Sequence, residues 1–168
     1  MTKLMENDGK FSEGKVTEAL KRMEEKYKAT YVRLYDSTSA GGSHIHGQPG
    51  DFILAVKGTP VLLEVKSSIK RSCLSSCTLR HAFSKGQILG ARLWARAGAS
   101  ALCVFHHVHY DFMEIWSMQP VIEAYLAPPR SRELQGSPLL VCNHNKERLA
   151  DGFIEAVNIW RKEYANNQ

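Results

Sequence analysis

Apolar residues recur at three- and four-residue spacing through Val16, Leu20, Met23 and Tyr27, which predicts an amphipathic helix over residues 12–28 with Ser12 as its N-cap. The period then drops to two. Thr30–Tyr35 alternates and is rich in β-formers, so it reads as a strand, whereas Ser37–Gly50 (STSAGGSHIHGQPG) is crowded with Ser, Gly and Pro and reads as an irregular loop. Two short apolar runs follow, Phe52–Val56 and Val61–Ser67, on either side of Lys57-Gly58, a dipeptide suited to a tight hairpin.

Residues 69–80 are small and polar with scattered cations and read as a loop. Residues 81–97 read as a helix through Phe83, Ile88, Leu89, Leu93 and Trp94, weakened by Gly86 and Gly90. Ala101–His107 and Phe112–Trp116 are expected strands, Ala127–Ser137 a second loop, Leu139–Cys142 a short strand and Glu147–Tyr164 a closing amphipathic helix. Trp94, Trp116 and Trp160 fit core stripes better than a platform for stacked bases. No internal repeat or second domain is apparent: residues 1–168 read as one domain, with a core at about 12–116 and a C-terminal loop and helix over 127–168. Helix, strands, helix, strands, helix is the order of a mixed sheet covered by helices.

With 168 residues, 43% hydrophobic and 23% charged, the chain has apolar material for one core and not the composition of a disordered protein. No run approaches the roughly 20 apolar residues of a membrane span. The opening MTKLMENDGK lacks the apolar stretch of a secretory signal, so a cytoplasmic protein is expected. Four cysteines at irregular spacing do not make a disulfide framework and are expected to be free thiols.

The net charge of +5 is unevenly spread. From Phe52 to Tyr110 there are eight basic residues and one acid, Glu64, a net +7; the remainder, fourteen bases against sixteen acids, is −2. A basic block of this kind is the footprint of a polyanion binder, because each neutralised phosphate releases condensed counterions. Lys70, Arg71, Arg80 and Lys85 are the expected phosphate contacts. The single acid stands inside an apolar strand pattern, Val61-Leu62-Leu63-Glu64-Val65, where an unpaired carboxylate is costly to bury.

Residues two apart in a strand share a face, so Glu64 and Lys66 project together. A hairpin turning at Lys57-Gly58 sets Asp51 opposite Glu64, with Cβ atoms about 5 Å apart. Two facing carboxylates repel, and a divalent cation removes the conflict. Hard oxygen ligands suit Mg2+, with Mn2+ as a substitute, and such an ion can polarise a phosphoryl oxygen and acidify a water. Lys66 is assigned charge stabilisation and positioning ahead of general-base work, because its ordinary pKa near 10.4 is too high. An ordinary surface ion pair between Glu64 and Lys66 is the plainer alternative.

The stretch Pro49-Gly50-Asp51 followed by Glu64-Val65-Lys66 resembles the signature of the PD-(D/E)xK nuclease superfamily, with a glycine inserted after the proline. Gly14-Lys15-Val16-Thr17-Glu18, the loop Ser37–Gly42 and Gln87 are similar to features of Holliday-junction resolvases of the RecU and Hjc type. The resemblance covers about residues 12–107. It implies an α/β restriction-endonuclease-like fold, a central mixed β-sheet flanked by helices. It also implies metal ligation by Glu18, Asp51, Glu64 and the Val65 carbonyl, a catalytic Lys66 supported by Gln87, and DNA contacts at Arg33 and Ser39 besides the basic block. The implied activity is Mg2+-dependent cleavage of DNA, of four-way junctions or other branched forms, by a homodimer in a bacterial, archaeal or phage-infected cell. The same site could serve a repair, restriction or end-processing nuclease, or be inert in a DNA-binding module. The motif departs from the family at Glu13, where a basic residue is common before the helix glycine, and at the inserted Gly50.

Among the remaining candidates, His44 and His46 read as loop histidines. His106, His107 and His109 read as exposed residues at a strand end. Cys73, Cys77 and His81 have a spacing that zinc could use on a helix, without an evident fourth ligand.

Overall fold

The computed structural model describes residues 8–34, 48–68, 76–128, 134–143 and 145–163. Helix α1 (Asp8–Lys26) leads into strand β1 (Ala29–Arg33), the hairpin β2 (Phe52–Val56) and β3 (Thr59–Ser68), helices α2 (Ser76–Ala82) and α3 (Lys85–Arg96), strands β4 (Ser100–His107) and β5 (Phe112–Ser117), helix α4 (Met118–Leu126), strand β6 (Leu140–Asn143) and helix α5 (Lys146–Glu163). Among the described residues, six strands lie in sequence order across one sheet. Of the five pairings among them, β3 with β4 is parallel, joined by a crossover that carries α2 and α3, and the other four are antiparallel. This is the mixed sheet flanked by helices that the order of elements implied. No helix among the described residues is long and apolar enough to cross a membrane.

Alternation divides the strands between two cores. Phe52, Leu54, Val61, Leu63, Val65, Leu102 and Val104 face α1 and α5, and pack with Leu20, Met23, Phe153 and Trp160. Leu62, Ala101, Cys103, Phe105 and Trp116 point the other way, against Leu79, Phe83, Ile88 and Val121 of α2, α3 and α4. Trp94 is partly buried against this second core.

Several expected elements differ. Helix α1 starts a turn before residue 12, so Ser12 is not a cap: it lies inside the helix, fully buried, with Oγ 2.7 Å from Nδ1 of His106. His106 and His107 are correspondingly buried and not exposed strand-end residues, whereas His109 is exposed in the following turn. Removing the hydroxyl in Ser12→Ala strips His106 of that partner in the core and should cost about 1–3 kcal/mol of stability, read from urea unfolding.

The expected loop over 69–80 contains helix α2, and the single helix over 81–97 is two, broken at Phe83-Ser84. Ser84 caps α3 by a capping box: its Oγ accepts from the Gln87 N–H at 3.2 Å, and the Gln87 side chain accepts from the Ser84 N–H at 3.0 Å. Helix α4 was not anticipated; its signals are the Ser117 cap, whose Oγ accepts from the Gln119 N–H, and Pro120 in the first turn, where a missing N–H costs nothing.

Candidate active site

The hairpin takes the register that its turn residues imply. Lys57 and Gly58 both adopt positive φ, 48° and 81°, the left-handed pair of a two-residue hairpin turn. Arg161 of α5 holds that turn by donating to the Lys57 carbonyl at 2.7 Å and to the Thr59 hydroxyl. Phe52 pairs with Leu63, and one step further the Asp51 N–H donates to the Leu63 carbonyl at 2.9 Å. The Asp51 carboxylate then accepts the N–H of Val65 at 2.7 Å, which ties it to the residue after Glu64.

Glu64 is 3% exposed, on the α3 side of the sheet. Its Oε1 accepts from Nε2 of Gln87 at 2.5 Å and forms an ion pair with Nζ of Lys66. Lys66 Nζ also donates to Oε1 of Gln87 at 3.4 Å and sits 5.1 Å above the Phe83 ring. Gln87 therefore clamps the acid and the lysine together, and the capping box fixes its own position. Burial, and then the neighbouring charge of Asp51, push the Glu64 carboxyl up to about 7 against the opposing pull of Lys66. Its second oxygen, Oε2, is buried with no hydrogen-bond partner. A carboxylate buried beside another in this way is costly to keep charged.

Two glycines permit the arrangement. A Cβ on Gly50 would meet the Leu62 side chain and the Leu63 carbonyl at 3.0 Å, so the inserted glycine is what lets the entry to β2 lie close on β3. A Cβ on Gly90 would stand 2.7 Å from Cβ and 2.9 Å from Cα of Pro49, so α3 rests on the backbone leading to Asp51. Alanine in a helix is normally favoured over glycine by about 1 kcal/mol. Gly90→Ala should reverse that sign, losing roughly 1–2 kcal/mol through forced displacement of Pro49, read from thermal unfolding.

Asp51, Glu64, Lys66 and Gln87 are thus brought together, with Val65 supplying its N–H to Asp51. Glu18 is not part of this group. It is exposed on another side of α1, where it lines a cavity of about 430 Å3 with Lys15, Asp111, Asn143, Asn145 and Lys146. The α1 carboxylate whose charge reaches Glu64 is Glu13, which pairs with Arg33 of β1. Arg33 also lies over the Phe52 ring, beside the residue whose N–H bonds the Asp51 carbonyl. Glu13 stood in the sequence as a departure from the family pattern; what singles it out is this pairing, which no local motif announces. Arg80 and Lys85 are exposed, Arg80 5.7 Å above the Tyr125 ring. Ser39, Lys70, Arg71, His44, His46 and Cys73 lie outside the described residues. Cys103 and Cys142 are free thiols, with burial pushing the Cys142 thiol up to about 11.

Among the described residues no three His, Cys, Asp or Glu side chains converge as a metal-binding group. The donor set nevertheless fits a small hard cation, because Mg2+ commonly takes one or two carboxylates and completes its shell with water and substrate phosphate. The unpartnered buried oxygen of Glu64 is the observation that favours it.

No protein-family model matches the chain. No curated protein matches it either. Among solved structures it is similar to Hjc of Archaeoglobus fulgidus, a Holliday junction resolvase from an archaeal hyperthermophile, with a TM-score of 0.48 and 13% identity over 86% of this chain and 98% of that one. At that distance nothing of the other protein's chemistry transfers with the likeness.

Proposed function

We propose that this chain is a metal-dependent DNA endonuclease with a restriction-endonuclease-like fold, acting on branched DNA such as four-way junctions. The observation that carries the reading is the buried Glu64 carboxylate, set beside Asp51 by the hairpin and clamped with Lys66 by Gln87, inside a segment otherwise free of acids. The resemblance of Asp51 and Glu64-Val65-Lys66 to a nuclease signature supports it from the sequence.

Asp51 and Glu64 would hold Mg2+ or Mn2+, which when bound supplies positive charge at a phosphoryl oxygen and acidifies a water. Hydrolysis adds water to phosphorus in line with the departing sugar oxygen, and negative charge grows on the phosphoryl oxygens. Lys66 stabilises that charge, and Gln87 keeps the lysine at the site. Glu13, released from Arg33, is the α1 carboxylate best placed to assist, in preference to Glu18. Arg33, Arg80 and Lys85 would contact phosphates, which position DNA without reporting its sequence. A homodimer would present two such sites to a junction.

Purified protein incubated with labelled four-way junction, linear duplex and single strand, in Mg2+, Mn2+ or chelator, tests this reading. Paired symmetric nicks confined to the junction are expected. Equal cutting of plain duplex would remove the junction selectivity, and failure to cut any substrate with either metal would remove the nuclease.

A further inference from the structure

We propose that Tyr110 and Phe112, stacked on His107 where strands β4 and β5 meet, form a platform for an unpaired nucleobase of the DNA strand held at Glu64 and Lys66. Where that strand lies rests on the nuclease reading, which the platform deepens.

Strand register carries the rings to the site. Lys66 stands opposite Phe105 on β4; one side-chain row further, Ser68 stands opposite His107, which in turn faces Phe112 on β5. Residues two apart in a strand share a face, so His107 and Phe112 project on the same side of the sheet as Glu64 and Lys66. Two residues of rise with one or two strand spacings put His107 about 8 Å and Phe112 about 12 Å from Lys66, Cα to Cα. The three rings form a ladder. His107 and Phe112 have centroids 4.4 Å apart and planes 24° apart, and Phe112 and Tyr110 follow at 6.1 Å and 31°, the spacing of offset aromatic stacks. His107 is buried at the foot of the ladder, its Nε2 3.4 Å from Oε2 of Glu114, which also accepts from Trp116 Nε1 at 2.9 Å. Phe112 is half-buried, and Tyr110 at the outer end is 51% exposed. The turn that presents it is tied down: the Tyr110 N–H donates to the His107 carbonyl at 3.0 Å, and Asp111 takes a left-handed φ of 53° that returns the chain to β5.

Size and charge select the occupant. One aromatic side chain covers about 150–250 Å2, against the roughly 800 Å2 per partner of a stable protein interface, whereas a nucleobase needs only the one ring to stack on. The acids adjoining the ladder are turned away or engaged: Asp111 lines the cavity with Lys15 and Lys146, and Glu114 is held by Trp116 beside His107. At roughly 3.4 Å per nucleotide of a stacked strand, the ladder lies within about three nucleotides of the cut. In continuous duplex a base at that distance is paired and costly to extrude, while next to a branch or in a single strand it is cheap to free. The platform therefore favours branched DNA.

The test is fluorescence anisotropy, in chelator, of a labelled fork, a duplex with non-complementary single-stranded arms, against the same duplex fully paired. Tyr110→Ala should bind the fork about 10-fold more weakly, the loss of one base stack. The slope of log affinity against log salt should stay unchanged, because no phosphate contact goes with the ring. Tyr110→Trp should bind the fork at least as tightly as wild type. Tyr110→Leu, which keeps apolar bulk at the turn without the flat ring, should be as weak as Tyr110→Ala. Each of these proteins should bind the paired duplex as wild type does. Abasic sites at the first unpaired nucleotides of both arms should bring wild type down to the level of Tyr110→Ala. Wild-type binding of the fork by Tyr110→Leu overturns the proposal, as do equal losses on fork and duplex, or a Tyr110→Ala deficit that persists on the abasic fork. A dimer in sedimentation velocity that Tyr110→Ala converts to monomer also overturns it, giving the ring to a second copy. Cleavage by the same proteins in Mg2+ separates the two readings: a fork-specific deficit with no cutting by wild type leaves the platform and removes the nuclease, while normal cutting with no such deficit does the reverse.

Discussion

Glu64→Gln and Asp51→Asn are each expected to lower cleavage on the order of 10^3-fold, about 4 kcal/mol of transition-state stabilisation, while DNA binding in chelator stays at or above the wild-type level. Each substitution removes one negative oxygen from the site and keeps the side chain's shape. The amide introduced by Asp51→Asn retains an oxygen for the Val65 N–H that Asp51 now accepts at 2.7 Å. Binding survives because the change makes a polyanion's seat less acidic. Lys66→Met should lose cleavage comparably, since no other cation bonds Glu64 among the described residues. The informative control is Glu18→Gln, which should cut as wild type because Glu18 lines the cavity beside Asp111 and Lys146; Glu13→Gln should lose more. Wild-type cutting by Glu64→Gln, measured on labelled junctions, would place the chemistry elsewhere.

The metal-free protein should lose stability as pH rises from about 4.5 to 7, and Glu64→Gln should abolish most of that loss. The Glu64 carboxyl has an ordinary value of 4.5 and is raised to about 7 in the folded chain. Between those values the unfolded chain has released the proton that the folded chain retains, so stability falls with pH, by about 3 kcal/mol in all. Above 7 the penalty is complete, and below 4.5 it is absent. A divalent cation that neutralises the site should therefore raise the unfolding temperature more at pH 8 than at pH 5. Urea midpoints of wild type and Glu64→Gln across that range isolate the effect from other titrating groups. Parallel curves for the two proteins would show that Glu64 is not buried as a charge. The same variant is thus expected to be more stable and inactive, because burying an acid beside another destabilises the fold in return for a cation site.

Much of the site was legible in local pattern. Strand alternation has a period of two, so once Lys57-Gly58 is recognised as the turn, the pairing of Phe52 with Leu63 and the placement of Asp51 beside Glu64 follow with no tertiary information. The shared face of Glu64 and Lys66, and the lone acid in a basic segment, are likewise properties of the string. The inward stripe of α1 was readable too, since Val16, Leu20 and Met23 repeat at the helical period and are all buried.

Other features depend on what lies across the gap. Glu13 and Glu18 differ by five residues, about 140° around a helix, so both look equally helical from sequence while only one turns toward Arg33 and the site. Ser12 resembled a cap because hydroxyl residues favour helix starts; its partner proved to be His106, ninety-four residues away. The break at Ser84 gave Gln87 a second task, one amide serving the cap and the Glu64–Lys66 pair together. Gly50 and Gly90 looked like an insertion and a weak helix position, and close packing against Leu62 and Pro49 explains both. Periodicity and turn chemistry are carried by neighbours in the chain, and the sequence by itself settled them here: the hairpin, its register and the facing carboxylates. Which helix face meets which strand, and so which α1 acid and which glycines serve those carboxylates, depends on contacts between distant residues, and only the tertiary structure decided it.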